Sequence, residues 1–297
     1  MKYESANAFR TALESRLLAR SRSDNIPLIR LRKLVAFDRL IARLMVVAPD
    51  RWVLKGAVAL QFRAGPSYRT TRDIDFGRSD DEAAATSDLL AVQSLDLGDY
   101  FSFAVEREGP IDLGDAGLAV RYHARAELAG REFESFVVDI AFGDQEDTPD
   151  MLDGPALLDF AEISPARLPV LALEQHIAEK VHAYVNVYSG GRRSSRVKDL
   201  VDLVMIESMF SVQAGRLAQA IAATFAARGK AALTELPPPP GDWRIPFRKL
   251  AGEVGLDPEI AAAYIRVRKF INPILSGEAA AGARWDPRRH SWAEPNG

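Results

Sequence analysis

The stretch Arg69-Thr70-Thr71-Arg72-Asp73-Ile74-Asp75-Phe76 constrains this chain more than any other. Side chains alternate across a β-strand, so carboxylates at i and i+2 share one face while Ile74 and Phe76 turn to the other. The pattern predicts a strand with an apolar side in a core and an acidic side outside it. A second signal lies upstream, where Trp52-Val53-Leu54 runs into Lys55-Gly56-Ala57 and an apolar, helix-like segment follows. Strand, glycine turn, short helix and acidic strand together have a chemical use. Backbone N–H groups at such a turn and helix start can meet a phosphate chain, and paired carboxylates can hold a divalent cation that the same phosphates bind. An Asp-x-Asp pair also suits a solvated strand end. Arg69 and Arg72 beside it, and a third strand-borne carboxylate downstream, favour the site.

The donor chemistry narrows the choice of metal. The chain has no cysteine and four scattered histidines, which excludes disulfides, thiolate sites and a zinc-like cluster. Any metal is therefore expected to be a hard, oxygen-bound one. With 297 residues, 47% hydrophobic and 27% charged, the chain has the composition of a folded protein with one large core or two modest ones. No apolar run approaches the roughly 20 residues that span a bilayer, and no secretory h-region follows Met1. We expect a cytoplasmic protein with no membrane partner. The net charge of −3 excludes a uniformly basic nucleic-acid coat. Basic residues nevertheless group at Arg30, Arg32 and Lys33, at Arg192, Arg193, Arg196 and Lys198, at Arg266, Arg268 and Lys269, and at Arg288, Arg289 and His290. Such groups are solvated faces or the lining of a groove for phosphates.

Taken in order, residues 6–22 and 28–47 have helical periodicity, with Pro27 at the start of the second helix. Trp52 to Leu54 is a strand, 57–62 a short helix, and 80–92 a helix capped by Ser79 or Asp80. Strands follow at 101–106, 118–128 and 132–142, the last two forming a hairpin about Ala129-Gly130. Within Val137-Val138-Asp139-Ile140-Ala141 a single acid interrupts an apolar run. A buried unpaired carboxylate is costly, so Asp139 needs a cation, a hydrogen-bond partner or a strand end. The acidic segment from Asp144 to Pro155 marks a boundary, giving a first region 1–150. Region 151–275 is helical. Its helix over 172–188 carries Lys180 at the edge of an apolar stripe, and the helix from Arg196 to about Ser208 places Asp199 and Asp202 one turn apart, with Lys198 able to pair with Asp202. On spacing alone these four charges form a surface network. A further helix spans 213–229, a last one runs from Pro258 to Phe270 and is ended by Pro273, and 276–297 is expected as a loosely ordered tail.

These pieces, in this order, resemble the AbiEii toxin family of nucleotidyltransferases. The resemblance covers most of the chain: Phe37 to Leu44, the Leu54-Lys55-Gly56 turn, Arg69 to Phe76, Glu179-Lys180-Val181, Lys198-Asp199-Leu200-Val201-Asp202-Leu203, and the segments at Trp243 and Phe270 to Leu275. It implies an α+β fold: a DNA polymerase beta-like nucleotidyltransferase core with a mixed sheet, a helical N-terminal lead-in and a helical C-terminal half. It further implies a metal-dependent toxin, paired with a cognate antitoxin, that moves a nucleotide from a nucleoside triphosphate to an RNA. MenT-type relatives act on tRNA.

Carried over residue by residue, Asp73 and Asp75 match the metal-binding pair and Gly56 the glycine of the phosphate-binding turn; in the metal-dependent mechanism that we expect, Asp139 is the third ligand of Mg²⁺. Lys55, Gly56, Ala57, Arg72 and Lys198 are expected to bind the nucleotide. Lys180, Asp199 and Asp202 join Asp73 and Asp75 as implied catalytic residues, Lys180 as a cation for the triphosphate. One departure is visible, because Ala57 stands where the wider fold has Gly or Ser, so the turn offers backbone N–H groups without a hydroxyl. Two other readings fit the same residues: a nucleotidyltransferase for small molecules, and a nucleotide-binding regulatory protein without turnover.

Overall fold

A computed structural model describes residues 2–65, 68–69, 71–112, 118–143, 148–188, 192–193 and 196–294. Thr70, positions 144–147 of the acidic segment, and positions 189–191 and 194–195 of the basic loop lie outside the described residues. The chain divides into two compact units, Met1–Leu171 and Ala172–Gly297.

The first unit opens with two helices, α1 (Ala6–Asp24) and α2 (Leu28–Val47), as the periodicity predicts. Ser5 caps α1 by accepting from the Ala8 N–H. Beyond them come β1 (Val53–Lys55), α3 (Gly56–Ala64), β2 (Asp73–Arg78), α4 (Glu82–Ser94), β3 (Phe101–Asp112), β4 (Leu118–Leu128), β5 (Arg131–Phe142), β6 (Asp150–Asp153) and β7 (Arg167–Val170). The seven strands form one mixed sheet in the order β3-β4-β5-β2-β1-β7-β6. β2 runs parallel to β5 and antiparallel to β1.

One sheet face carries Ile74, Phe76, Val138 and Ile140, all buried in a core shared with Phe37, Leu40, Ile41 and Leu44 of α2. Phe37 meets Phe136 edge-on at 4.9 Å, and Trp52 meets Phe76 at 5.2 Å. Burying side chains of this size contributes about 1.5–3 kcal/mol each, so the apolar half of the Asp-x-Asp alternation sets which way the acidic half faces. Charge is also held inside this unit. Arg43, with no exposed surface, donates to both oxygens of Asp99, and Arg78 donates to Asp80 and Asp88 while lying 4.3 Å from the Trp52 ring.

Several expectations are corrected here. The first unit does not end in the acidic segment near residue 150 but at Leu171, because β6 and β7 complete the sheet, β7 pairing with β1 at Leu54 opposite Val170. The cap of α4 is Asp81, which accepts from the Ala84 N–H at 2.9 Å. Asp80 cannot serve, since Arg78 holds it.

The second unit contains α5 (Leu173–Val185), a short ribbon of β8 (Val187–Tyr188) and β9 (Arg192–Arg193), then α6 (Val197–Met209), α7 (Ala214–Ala227), α8 (Arg244–Glu253), α9 (Ile260–Leu275) and a second ribbon, β10 (Arg284–Asp286) with β11 (Ser291–Ala293). Pro273 lies inside the last turn of α9 instead of ending it. The segment expected as a loose tail is packed. Trp285 is buried against Phe270 at 4.8 Å, Trp292 stacks on Phe270 at 5.7 Å, and both indole N–H groups donate to carbonyls, of Glu207 and Phe270. Two tryptophans in a glycine- and alanine-rich segment are enough to anchor it.

Candidate active site

The site in the first unit is built by strand register. Asp75 of β2 stands opposite Asp139 of β5, Lys55 of β1 stands opposite Asp75, and Arg121 of β4 stands opposite Asp139. Directly opposed residues share a sheet face, so four strands present one cross-strand row, Lys55, Asp75, Asp139, Arg121, with two acids flanked by two bases. Asp73 lies one step along β2, opposite Val137. Each of Asp73, Asp75 and Asp139 offers a carboxylate oxygen within 4.8 Å of the others. Among the described residues this is the one group of three or more His, Cys, Asp or Glu side chains so arranged.

The carboxylates are placed by their neighbours. Thr71 donates its hydroxyl to Asp73, and the segment before it is tied down by the Gln61 side-chain N–H, which donates to the Arg69 carbonyl at 2.7 Å. Gly56 turns β1 directly into α3 at φ +63. A Cβ at this position would lie 1.8 Å from the Asp75 carboxylate oxygen, so no larger residue fits without moving Asp75. The close approach also brings the start of α3, with its positive dipole end, against a carboxylate. Asp139 is only 8% exposed and accepts from Arg121 through both oxygens, at 2.8 and 2.7 Å. That hydrogen bond raises the Arg121 pKa further above its ordinary value, against the opposing effect of burial. A groove of about 440 Å³ lined by Arg72, His123, Arg125 and Val137, among others, continues along the same strands.

Three carboxylates converging through oxygen atoms alone fit a hard divalent cation such as Mg²⁺, and no thiolate exists to favour a softer one. Of the expected nucleotide-binding residues, Lys55, Gly56, Ala57 and Arg72 fall in this unit around the carboxylates, while Lys198 is an exposed residue of the second unit.

Lys180, Asp199 and Asp202 form their own cluster in the second unit. The Lys180 ammonium donates to Asp202 at 2.6 Å and to Asp199 at 3.3 Å, linking α5 to α6. The expected surface network is thus a buried one, and Asp202 is held by Lys180, with Lys198 turned outward. Burial of the α6 face that carries both aspartates is what the spacing failed to show. Two basic groups are also committed internally. Arg32 and Lys33 pair with Glu14 and Glu134, and Arg266 pairs with the fully buried Glu207, which also meets His290.

A family profile described as the nucleotidyl transferase AbiEii toxin of type IV toxin–antitoxin systems matches residues 39–287. The chain belongs to the AbiEii family. It is a nucleotidyltransferase, and the matched segment contains every candidate site residue named above. The fold is similar to that of MenT4, a nucleotidyltransferase toxin from Mycobacterium tuberculosis H37Rv, with a TM-score of 0.59 and 20% identity over 95% of this chain and 92% of that one. JHP933 from Helicobacter pylori aligns over 83% of this chain and 92% of its own, at 15% identity and a TM-score of 0.46. No curated protein is significantly similar in sequence.

Proposed function

We propose that this AbiEii nucleotidyltransferase transfers a nucleotide from a nucleoside triphosphate to an RNA acceptor, tRNA being the class to test first, in a reaction that depends on Mg²⁺. The observation that carries the reading is the convergence of Asp73, Asp75 and Asp139 beside the glycine turn at the start of α3. A divalent cation bound by these three carboxylates would neutralise phosphate charge and lower the pKa of an acceptor hydroxyl. The chain's own groups orient the substrate. Lys55 and the backbone N–H groups of Gly56 and Ala57 receive the phosphates, Thr71 fixes the rotamer of Asp73, and Arg72 contributes a cation from the groove beside the carboxylates. Lys180, Asp199 and Asp202 are kept as catalytic residues in this proposal because they match the family's pattern. Exposed Lys198, Arg268, Lys269, Arg288 and Arg289 in the second unit offer cations to an RNA backbone. Family membership supports a cognate antitoxin as partner, and among the described residues no helix is long and apolar enough to cross a membrane.

The test is to incubate the protein with Mg²⁺, total RNA and each labelled nucleoside triphosphate in turn, beside an Asp75→Ala protein. Label entering an RNA band with the unaltered protein alone is the expected result. Label entering only small molecules, or none with any nucleotide, would sink the RNA reading.

A further inference from the structure

Asp139 is given to an arginine. Arg121 grips it with two hydrogen bonds in the fork geometry that is the strongest form of charge-assisted contact, and both carboxylate oxygens are engaged. The two residues differ in exposure: the Arg121 side chain is 33% exposed and that of Asp139 is 11%. The carboxylate is the fixed member, and the guanidinium lies at the water's edge, free to leave without entering the core. Three carboxylates with oxygens within 4.8 Å of one another repel unless a cation is present, and Arg121 is always charged.

We propose that Arg121 is the resident counter-ion of Asp139, competing with a divalent cation for that carboxylate and exchanging it for a phosphate group of the incoming triphosphate. The inference rests on the metal-dependent reading above. A guanidinium fork matches phosphate as well as it matches carboxylate, so the exchange keeps its hydrogen bonds made. Competition is reciprocal: whatever Arg121 contributes to holding Asp139 is subtracted from the affinity of the bare metal, and a triphosphate that draws Arg121 away restores it. The alternative role, a clamp that merely orients Asp139 for the metal, predicts the opposite sign, since loss of the clamp would weaken metal binding.

Mn²⁺ binding to the full chain, followed by electron paramagnetic resonance with and without a non-hydrolysable nucleoside triphosphate, separates the two. Arg121→Gln is expected to bind Mn²⁺ alone roughly tenfold more tightly than the unaltered protein, and the strengthening of Mn²⁺ binding by the triphosphate is expected to shrink by a similar factor. Arg121→Lys, which keeps the charge and loses the fork, should fall between them and covers the case in which the Gln protein folds poorly. Equal or weaker Mn²⁺ binding by folded variants would overturn the competition, and an unchanged response to triphosphate would overturn the exchange. Absence of Mn²⁺ binding in the unaltered protein and in both variants, with and without the triphosphate, would instead remove the metal-dependent reading itself, a result distinguishable from either.

Discussion

In the first unit three carboxylates meet at a sheet face with Arg121 at their edge, and Asp73 and Asp75 are half-buried. In the second, Lys180 is held between Asp199 and Asp202, and all three residues are less than a tenth exposed. Both clusters bring aspartates together with basic side chains, yet they differ in exposure. A cluster at the water's edge can trade its cation for another one. A buried cluster cannot do so without opening the packing around it, so its charges fix the two helices that carry them. Exposure, more than composition, separates an exchangeable cluster from a fixed one.

The largest effect expected is on transfer in Asp75→Asn: a fall of about a thousandfold or more, from the loss of charge stabilisation, with the urea unfolding midpoint unchanged. Lys180→Met is expected to lose transfer as well and, unlike Asp75→Asn, to lose stability with it. Removing one partner of a buried ion pair leaves its partners uncompensated and costs about 3–5 kcal/mol, so its urea midpoint should drop sharply. A Lys180→Met protein that unfolds normally and loses transfer would break the comparison and make Lys180 purely catalytic.

Gly56→Ala comes next. Its Cβ would collide with the Asp75 carboxylate, and its φ of +63 disfavours any side chain. We expect about a hundredfold loss of transfer, since misplacing a catalytic group by an ångström has that order of effect, with a stability cost of about 1–3 kcal/mol. Transfer near the normal rate would show that Asp75 tolerates displacement.

The smallest effect concerns Asp80. Its hydrogen bond from Arg78 holds its pKa below the usual carboxylate range. A depressed folded-state pKa gives stability that is present above the unfolded value and lost as pH falls through the folded one. Asp80→Asn should therefore flatten the acid side of the stability profile below about pH 4, with a change at neutral pH of about 1 kcal/mol or less. An unaltered acid limb would argue against the pairing.

Much of the first unit is legible in the sequence because its strands alternate cleanly. Ile74 and Phe76 face the core as expected, and Asp75 and Asp139 fall on the same side. Arg121 was not legible, although the hairpin about Ala129-Gly130 was. Counting back from Leu128 opposite Arg131 puts Val120 across from Asp139, whereas a register shift at Ala126/Glu127 brings Arg121 there instead. A one-residue slip exchanges the faces of every later side chain, and nothing in the alternation announces a bulge. The second unit was harder for a different reason. Spacing showed that Asp199 and Asp202 share a helix face, and only tertiary packing decides that the face is buried.

The parallel pairing of β2 with β5 also bears on when the enzyme becomes active. Asp75 and Asp139 come from strands separated by the whole of α4, β3 and β4, so the site exists only after a long-range contact closes. Such contacts form late in folding because chain entropy must be lost before they are rewarded. During synthesis, at about 5–20 residues per second, a nascent chain that has released β2 still lacks the strand that completes its carboxylates. For a member of a toxin family this is a built-in delay: the carboxylates cannot meet until β5 has followed β2 out of the ribosome.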